Sequence, residues 1–166
     1  MTFADAVKSG FQNALTFSGR SRRPDYWWFF LFVFAGGFVT GLIDLALFGE
    51  DRVIVTRIFQ IVIFLPFLAV GWRRLQDTGK PGWWVLIPSG IVILSAVVAG
   101  SVGRQVLGQL AEGQTVPMMT GAQSALLLAL SLAQIIAGLV IVWWMTRPSQ
   151  QGANAYGPEP RVRRKT

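Results

Sequence analysis

Residues 27–48 read WWFFLFVFAGGFVTGLIDLALF, an almost unbroken apolar run in which Asp44 is the single ionisable residue. A helix rises about 1.5 Å per residue, so roughly 20 apolar residues cross the hydrocarbon core of a bilayer, about 30 Å thick. The run is therefore predicted to be a transmembrane helix.

Three further apolar segments have a similar character, at residues 53–72, 83–99 and 122–145. The segment 53–72 also contains Arg57 and Pro66, so a re-entrant loop is the alternative there. We favour a span, because unpaired backbone at membrane depth must be covered by protein or water and this segment is too apolar to line water. We predict an all-α integral membrane protein, a four-helix transmembrane bundle forming one domain over residues 1–166.

Composition limits the chemistry that this chain can perform. Of its 166 residues, 52% are hydrophobic and 14% charged, with a formal net charge of +7. That positive charge would suit nucleic acid in a soluble protein, but the apolar content indicates a membrane, so no nucleic-acid partner is expected. There is no Cys and no His, which removes disulfides, Cys-His metal sites and thiol or imidazole catalysis. We expect a non-enzymatic protein with no catalytic, cofactor-binding or metal-binding residues.

The basic residues predict the orientation in the membrane. Twelve of the fifteen Lys and Arg residues lie before the first span, between the second and third, or after the fourth. Basic residues accumulate on the cytoplasmic side, so both termini are predicted to be cytoplasmic. All seven Trp residues lie at span ends on that same side, as an interfacial belt would place them.

Two segments flank the spans. Residues 2–17 place apolar side chains at helical spacing, and Thr2 with Asp5 matches a capping box. This segment is predicted to be an amphipathic helix, either lying in the cytoplasmic interface or packed on the protein's own spans. Residues 148–166 are rich in Pro, Gly and Gln and are predicted to form a flexible basic cytoplasmic tail.

Three segments are more particular than generic loops: FSGRSRRPDYWWFFLF at 17–32, WRRLQDTGKPGWWVLIP at 72–88 and GANAYGPEP at 152–160. Together they resemble the bacterial inner-membrane family catalogued as domain of unknown function 805, over nearly the whole chain. The resemblance implies a small multi-pass protein of the inner membrane with no established activity. Many members have His where Gln76 stands and Ser where Pro81 stands, so no role that needs a titratable ring is implied here.

Two basic clusters are predicted to lie at the same depth on the cytoplasmic face: Arg20, Arg22 and Arg23 in one, and Arg73, Arg74 and Lys80 in the other. A guanidinium offers a planar fork of donors suited to phosphate, and Trp prefers the headgroup level. The predicted headgroup-binding set is Arg20, Arg22, Arg23, Trp27, Arg73, Arg74, Lys80 and Trp83. Its expected partner is anionic membrane lipid, while a membrane-protein partner and a homo-oligomer stay open. For any one of these residues the alternative is an ordinary solvated loop.

Two smaller groups of residues support further predictions. Asp44 and Arg57 are predicted to form an intramembrane ion pair, because a short connection makes their helices antiparallel neighbours and an unpaired charge costs about 2.5–3.5 kcal/mol. The alternative is a proton or cation site. In the loop after the second span, Asp77 is predicted to accept from the backbone in an Asx turn, with Gly79 and Gly82 permitting tight turns.

Two function classes remain. The first is non-enzymatic binding of anionic lipid headgroups or of a membrane partner. The second is a small ion- or proton-coupled transporter or channel, which needs an ionisable residue at mid-depth, and the central parts of the four predicted spans contain none. An intramembrane hydrolase would need a Ser-Lys, Ser-His or paired-Asp site that the spans lack. We therefore expect the first class.

Overall fold

The computed structural model describes residues 2–50, 52–112 and 119–160. Its helices are α1 (Phe3–Gln12), α2 (Arg23–Phe48), α3 (Ile54–Asp77), a short 3-10 helix (Gly82–Val85), α4 (Leu86–Ala111) and α5 (Gly121–Thr146). Within these described residues, four helical segments are long and apolar enough to cross a membrane: α2, α3, the 3-10 helix continued by α4, and α5. The predicted all-α membrane fold with four spans and an N-terminal amphipathic helix is confirmed.

The second span is a continuous helix rather than a re-entrant loop. α3 contains 24 residues and includes Pro66 in its interior. Proline is tolerated in spanning helices because neighbouring groups re-satisfy the backbone groups that it frees. α3 is also the most buried of the four spanning segments.

α4 is longer than the apolar run alone indicated. The predicted span ends at residue 99, whereas α4 continues to Ala111. Val102, Val106 and Leu110 continue a four-residue repeat. Glycine inside a helix costs only about 1 kcal/mol, so Gly100 does not end the helix.

The chain divides into two compact units, one of Met1–Val85 with Trp144–Thr166 and the other of Leu86–Trp143. In the first, α3 packs against α2, α1 and the 3-10 helix. Its burial concentrates at the C-terminal end of α3, which is where the charged residues of the predicted site lie. In the second unit α4 contains no buried residue, as expected for a helix whose apolar side chains face hydrocarbon.

α1 packs on the protein's own span. The Phe11 and Phe29 ring centroids are 5.9 Å apart, and those of Phe3 and Trp28 are 6.0 Å apart. Gly10 is buried against Phe29. Of the two placements left open by the sequence, packing on the spans is therefore the one observed, although α1 ends at Gln12.

Close packing of α2 on α3 depends on one member of a glycine pair. A Cβ atom at Gly36 would lie 2.4 Å from Cζ of Phe59, whereas a Cβ atom at Gly37 would meet nothing within 4 Å. Gly36→Ala is therefore expected to lower the free energy of unfolding by about 1–3 kcal/mol through overpacking. Gly37→Ala is expected to be neutral or to stabilise by up to about 1 kcal/mol, since alanine has the higher helix propensity.

The free energy of unfolding of both variants can be measured in the same detergent micelles, with Trp fluorescence as the signal. Gly37→Ala is the matched control, because it adds the same methyl group to the adjacent position. Equal losses of stability in the two variants would contradict the observed packing of the Phe59 ring.

Candidate headgroup-binding site

Asp77, the last residue of α3, is fully buried at the centre of a charged cluster. Its Oδ1 atom accepts from Nε of Arg20 at 2.9 Å, and its Oδ2 atom accepts from Nη1 of Arg74 and from Oγ of Ser149. The Arg20 and Arg74 side chains are 1% and 0% exposed. We call these four residues the Asp77 cluster.

The two arginines of this cluster also bind the last turn of α5 and the chain that follows it. A guanidinium carries five donors in a fork, so one side chain can bind a carboxylate and several carbonyls together. Arg74 and Arg20 each donate to two backbone carbonyl oxygens as well as to Asp77. The accepting residues are Met145, Arg147, Gln150 and Gly152.

Residues 147–160, which we call the strap, are ordered against the end of α3. The Gln150 N–H donates to the Asp77 carbonyl at 2.9 Å, and Nδ2 of Asn154 donates to the Gln76 carbonyl at 2.9 Å. Asn154 and Gly157 close the strap on itself through a β-bridge. The prediction of a flexible tail is wrong for residues 148–160, because buried ionic groups supply the contacts that an apolar core would otherwise provide. Residues 161–166 lie outside the described part.

The predicted Asx turn at Asp77 is also wrong. The Lys80 N–H donates to the Leu75 carbonyl at 3.0 Å, and the Gly79 N–H donates to the Gln76 carbonyl at 3.1 Å. Gly79 has φ +78°, the left-handed conformation that lets a helix end in this way. Because the loop backbone closes the helix end, the Asp77 carboxylate is available to the arginines.

Lys80 and Trp83 of the predicted set lie in an aromatic cluster. Nζ of Lys80 stands 4.7 Å from the centroid of the Trp144 ring, a cation–π contact. Trp83 stacks on Trp84 with centroids 5.1 Å apart and stays half exposed. A Cβ atom at Gly82 would lie 2.1 Å from the ring of Trp72, so only glycine fits there.

Three arginines of the predicted headgroup set are internal. Arg73 is 9% exposed and donates through Nε to the Ala69 carbonyl at 3.2 Å. Arg20 and Arg74 are engaged in the Asp77 cluster. Arg20 and Arg74 are thus bound by protein groups, and lipid binding by these three side chains stays a prediction. An arginine near an interface does not reveal from sequence alone whether its partner is a lipid or a carbonyl.

Three other members of the set share an open surface. Arg22, Arg23 and Trp27 line a cleft of about 730 Å³ at the start of α2. Its remaining lining residues are Pro24, Ser149, Glu159 and Pro160. Arg23 is exposed, and Nε of Arg22 lies 3.7 Å from Oδ2 of Asp25. We call this surface the Arg22–Arg23 cleft, and the strap supplies one of its walls.

Asp44 does not pair with Arg57. Its carboxylate, 1% exposed, accepts from the N–H groups of Ile54, Val55 and Thr56 at 3.1, 2.8 and 2.8 Å. The predicted ion pair is therefore wrong: the first turn of α3 has unpaired donors and a positive dipole end, and both are satisfied by the carboxylate.

Arg57 is instead exposed on α3. It lines a shallow cavity of about 380 Å³ with Gln60, Ile61 and Phe64. A long cationic side chain near the end of a span can extend its charged group toward the interface, so it needs no carboxylate partner inside the membrane.

The fold and the site together define a multi-pass membrane protein in which two arginines bind a buried aspartate at the end of a spanning helix. The family described as "Protein of unknown function (DUF805)" matches residues 14–158. The chain belongs to this family, in agreement with the resemblance of its loop segments.

Two relatives come from Escherichia coli strain K12. Inner membrane protein YhaH is 44% identical over 80 residues, an alignment that covers 46% of this chain and 65% of YhaH. Inner membrane protein YhaI is 38% identical over 76 residues, covering 46% of this chain and 64% of YhaI. The match thus spans somewhat less than two thirds of either relative. No solved structure matches the chain. The predicted location in the bacterial inner membrane is confirmed.

Proposed function

We propose that this protein is a non-enzymatic inner-membrane protein that binds the phosphate of an anionic lipid headgroup in the Arg22–Arg23 cleft, on the cytoplasmic side of the membrane. The observation that carries the proposal is the cleft itself, which is lined by Arg22, Arg23 and Trp27 beside the start of a long spanning helix.

The local charge balance supports an anionic ligand. The six cations of the two basic clusters are accompanied by the carboxylates of Asp25, Asp77 and Glu159, which leaves an excess of three positive charges. Arg23 lies close enough to the buried Arg74 for their charges to repel. An anion in the cleft would relieve that repulsion, and the positive end of the α2 dipole adds to the attraction.

The position of Trp27 in the cleft supports a lipid as the source of the anion. Trp27 is half-buried and follows the cations by one helical turn. An indole ring prefers the boundary between headgroups and acyl chains, where its apolar body and polar N–H are both satisfied. A phosphate on the arginines with an acyl chain beside Trp27 therefore matches the chemistry of the cleft.

The hydrogen bonds that Asp44 accepts favour lipid binding over coupled transport as the function. This carboxylate was the candidate titratable group for coupled transport, and it is engaged by three backbone N–H groups at the start of α3. A proton or cation site at Asp44 would have to displace those bonds.

The test compares lipids bound to the protein purified in mild detergent, counted by native mass spectrometry. The wild type is expected to be enriched in phosphatidylglycerol over the bulk membrane. Each basic residue near an anionic leaflet contributes about 1 kcal/mol, so Arg22→Gln with Arg23→Gln is expected to lower the relative affinity about 30-fold.

Arg52→Gln is the matched control, because Arg52 is an exposed arginine that does not line the cleft. It is expected to leave the bound lipid unchanged. A wild type whose lipid matches the bulk membrane, or a double variant that keeps the enrichment, would contradict the proposal.

A further inference from the structure

The Arg22–Arg23 cleft contains a carboxylate as well as its cations. Glu159 lines the cleft from the strap, and its Oε2 atom accepts from the Gly152 N–H at 2.9 Å. The strap is fixed in turn by Ser149 and Gln150, which bind the side chain and the carbonyl of Asp77. An acidic group is thus held in the wall of a cationic site.

This arrangement restricts the ligand. A carboxylate only accepts hydrogen bonds, and it has about four lone-pair sites, so the bond from Gly152 leaves acceptor capacity on Glu159. A ligand with further negative charge beside Glu159 would be repelled, whereas a ligand with a hydroxyl there would donate to it. The charged lining residues are two arginines and one glutamate, so the cleft offers cationic donors to a phosphodiester beside one carboxylate acceptor.

Resting on the proposed function, we infer that Glu159 is a specificity-determining residue of the cleft. It selects headgroups in which one phosphodiester charge is followed by hydroxyl donors, the chemistry of phosphatidylglycerol. The phosphate contacts Arg22 and Arg23, and the terminal glycerol donates to the Glu159 carboxylate.

Two lipids with the same phosphodiester charge, one with and one without a hydroxyl-bearing headgroup, test the inference on the full chain. Phosphatidylglycerol and phosphatidylmethanol carry the same single charge, but the methyl ester has no donor. In competition experiments read by native mass spectrometry, the wild type is expected to prefer phosphatidylglycerol about fivefold, the size of a charge-assisted hydrogen bond in an open site.

Glu159→Ala is expected to bring the ratio of the two affinities to about one, because the acceptor is gone. It is also expected to increase binding of phosphatidylmethanol, because the repelling carboxylate is gone. Glu50→Ala, which removes an exposed acid outside the cleft, is the control and should keep the wild-type ratio.

Limited proteolysis shows whether the strap stays docked in Glu159→Ala. Where it is released, Glu159→Gln decides, since its carbonyl oxygen can still accept from Gly152. Glu159→Gln, which loses only the charge, must then bind more phosphatidylmethanol than the wild type does. Unchanged binding of this lipid would overturn the inference.

The two proposals fail in different ways. Equal binding of both lipids to the wild type, with loss of both in the Arg22→Gln and Arg23→Gln variant, overturns the role of Glu159 and leaves lipid binding standing. Binding that is insensitive to those two arginines overturns the proposed function itself. Displacement of bound lipid by equimolar glycerophosphoglycerol would assign a soluble ligand and would overturn both.

Discussion

Replacing Asp77 with alanine is expected to lower the free energy of unfolding by about 3–5 kcal/mol, the cost of leaving a buried charge without its partner. The carboxylate accepts from Arg20, Arg74 and Ser149, and both arginine side chains are at most 1% exposed. Removing it leaves two guanidinium groups facing each other in a buried site.

Chemical unfolding in micelles measures this loss, and proteolysis of residues 147–160 reports on the strap. Asp77→Ala should make the strap cleavable, because Ser149 and the arginines no longer share an acceptor. Ser149→Ala, which removes one hydrogen bond and no charge, should cost about 1 kcal/mol. A loss below 1 kcal/mol for Asp77→Ala would show that the cluster does not hold the strap.

Replacing Asp44 with alanine is expected to lower the free energy of unfolding by about 3–4 kcal/mol. Loss of a helix N-cap in water costs about 1 kcal/mol, but a buried backbone N–H left without an acceptor costs more, and Asp44, which is 1% exposed, serves three such groups. Asp44→Asn should retain part of the stability, because its amide oxygen can still accept.

A double-mutant cycle with Arg57→Gln separates a helix cap from an ion pair. Arg57 is exposed, so Arg57→Gln alone should cost less than about 1 kcal/mol, and its effect should add to that of Asp44→Ala. A coupling energy above about 1 kcal/mol between the two positions would restore the ion pair that the sequence favoured.

The spans were predictable because hydrocarbon imposes a simple rule on sequence. The run at 27–48 lies inside α2, and the run at 122–145 lies inside α5. Twenty apolar residues in succession have few alternatives to a spanning helix. The helix that contains the run at 83–99 continues to Ala111, because the glycines after residue 99 cost too little to end it.

The partners of the charged residues were not predictable from spacing. Asp77 lies close in sequence to Gly79, which favours a local turn, yet its carboxylate binds Arg20 and Ser149, from segments far away in the chain. The strap has few apolar side chains, so its composition indicated mobility. Composition does not show that the buried charges of Asp77, Arg20 and Arg74 bind the strap. The one usable signal was the motif GANAYGPEP, which includes Asn154 and Glu159.

Asp44 shows why charge complementarity alone misleads inside a membrane. The two predicted spans that flank the tight connection contain one acid and one base, and pairing them satisfies both charges. Helix ends, however, carry unpaired N–H groups that no sequence pattern displays, and these groups compete for the same carboxylate. The N–H groups are fixed in the backbone, whereas the long Arg57 side chain can extend toward the interface, so the carboxylate binds the backbone.

The central claim, that the Arg22–Arg23 cleft holds an anionic headgroup, is tested most directly by photolabelling in native membranes. A phosphatidylglycerol with a diazirine close to its headgroup is cross-linked to the full chain, and the labelled peptides are sequenced. The account predicts label on residues 22–27 and 149–160, which line the cleft, and loss of that label when Arg22 and Arg23 are both replaced by Gln. Label concentrated around the Arg57 cavity, or spread evenly over all span ends and unchanged in the variant, would contradict it.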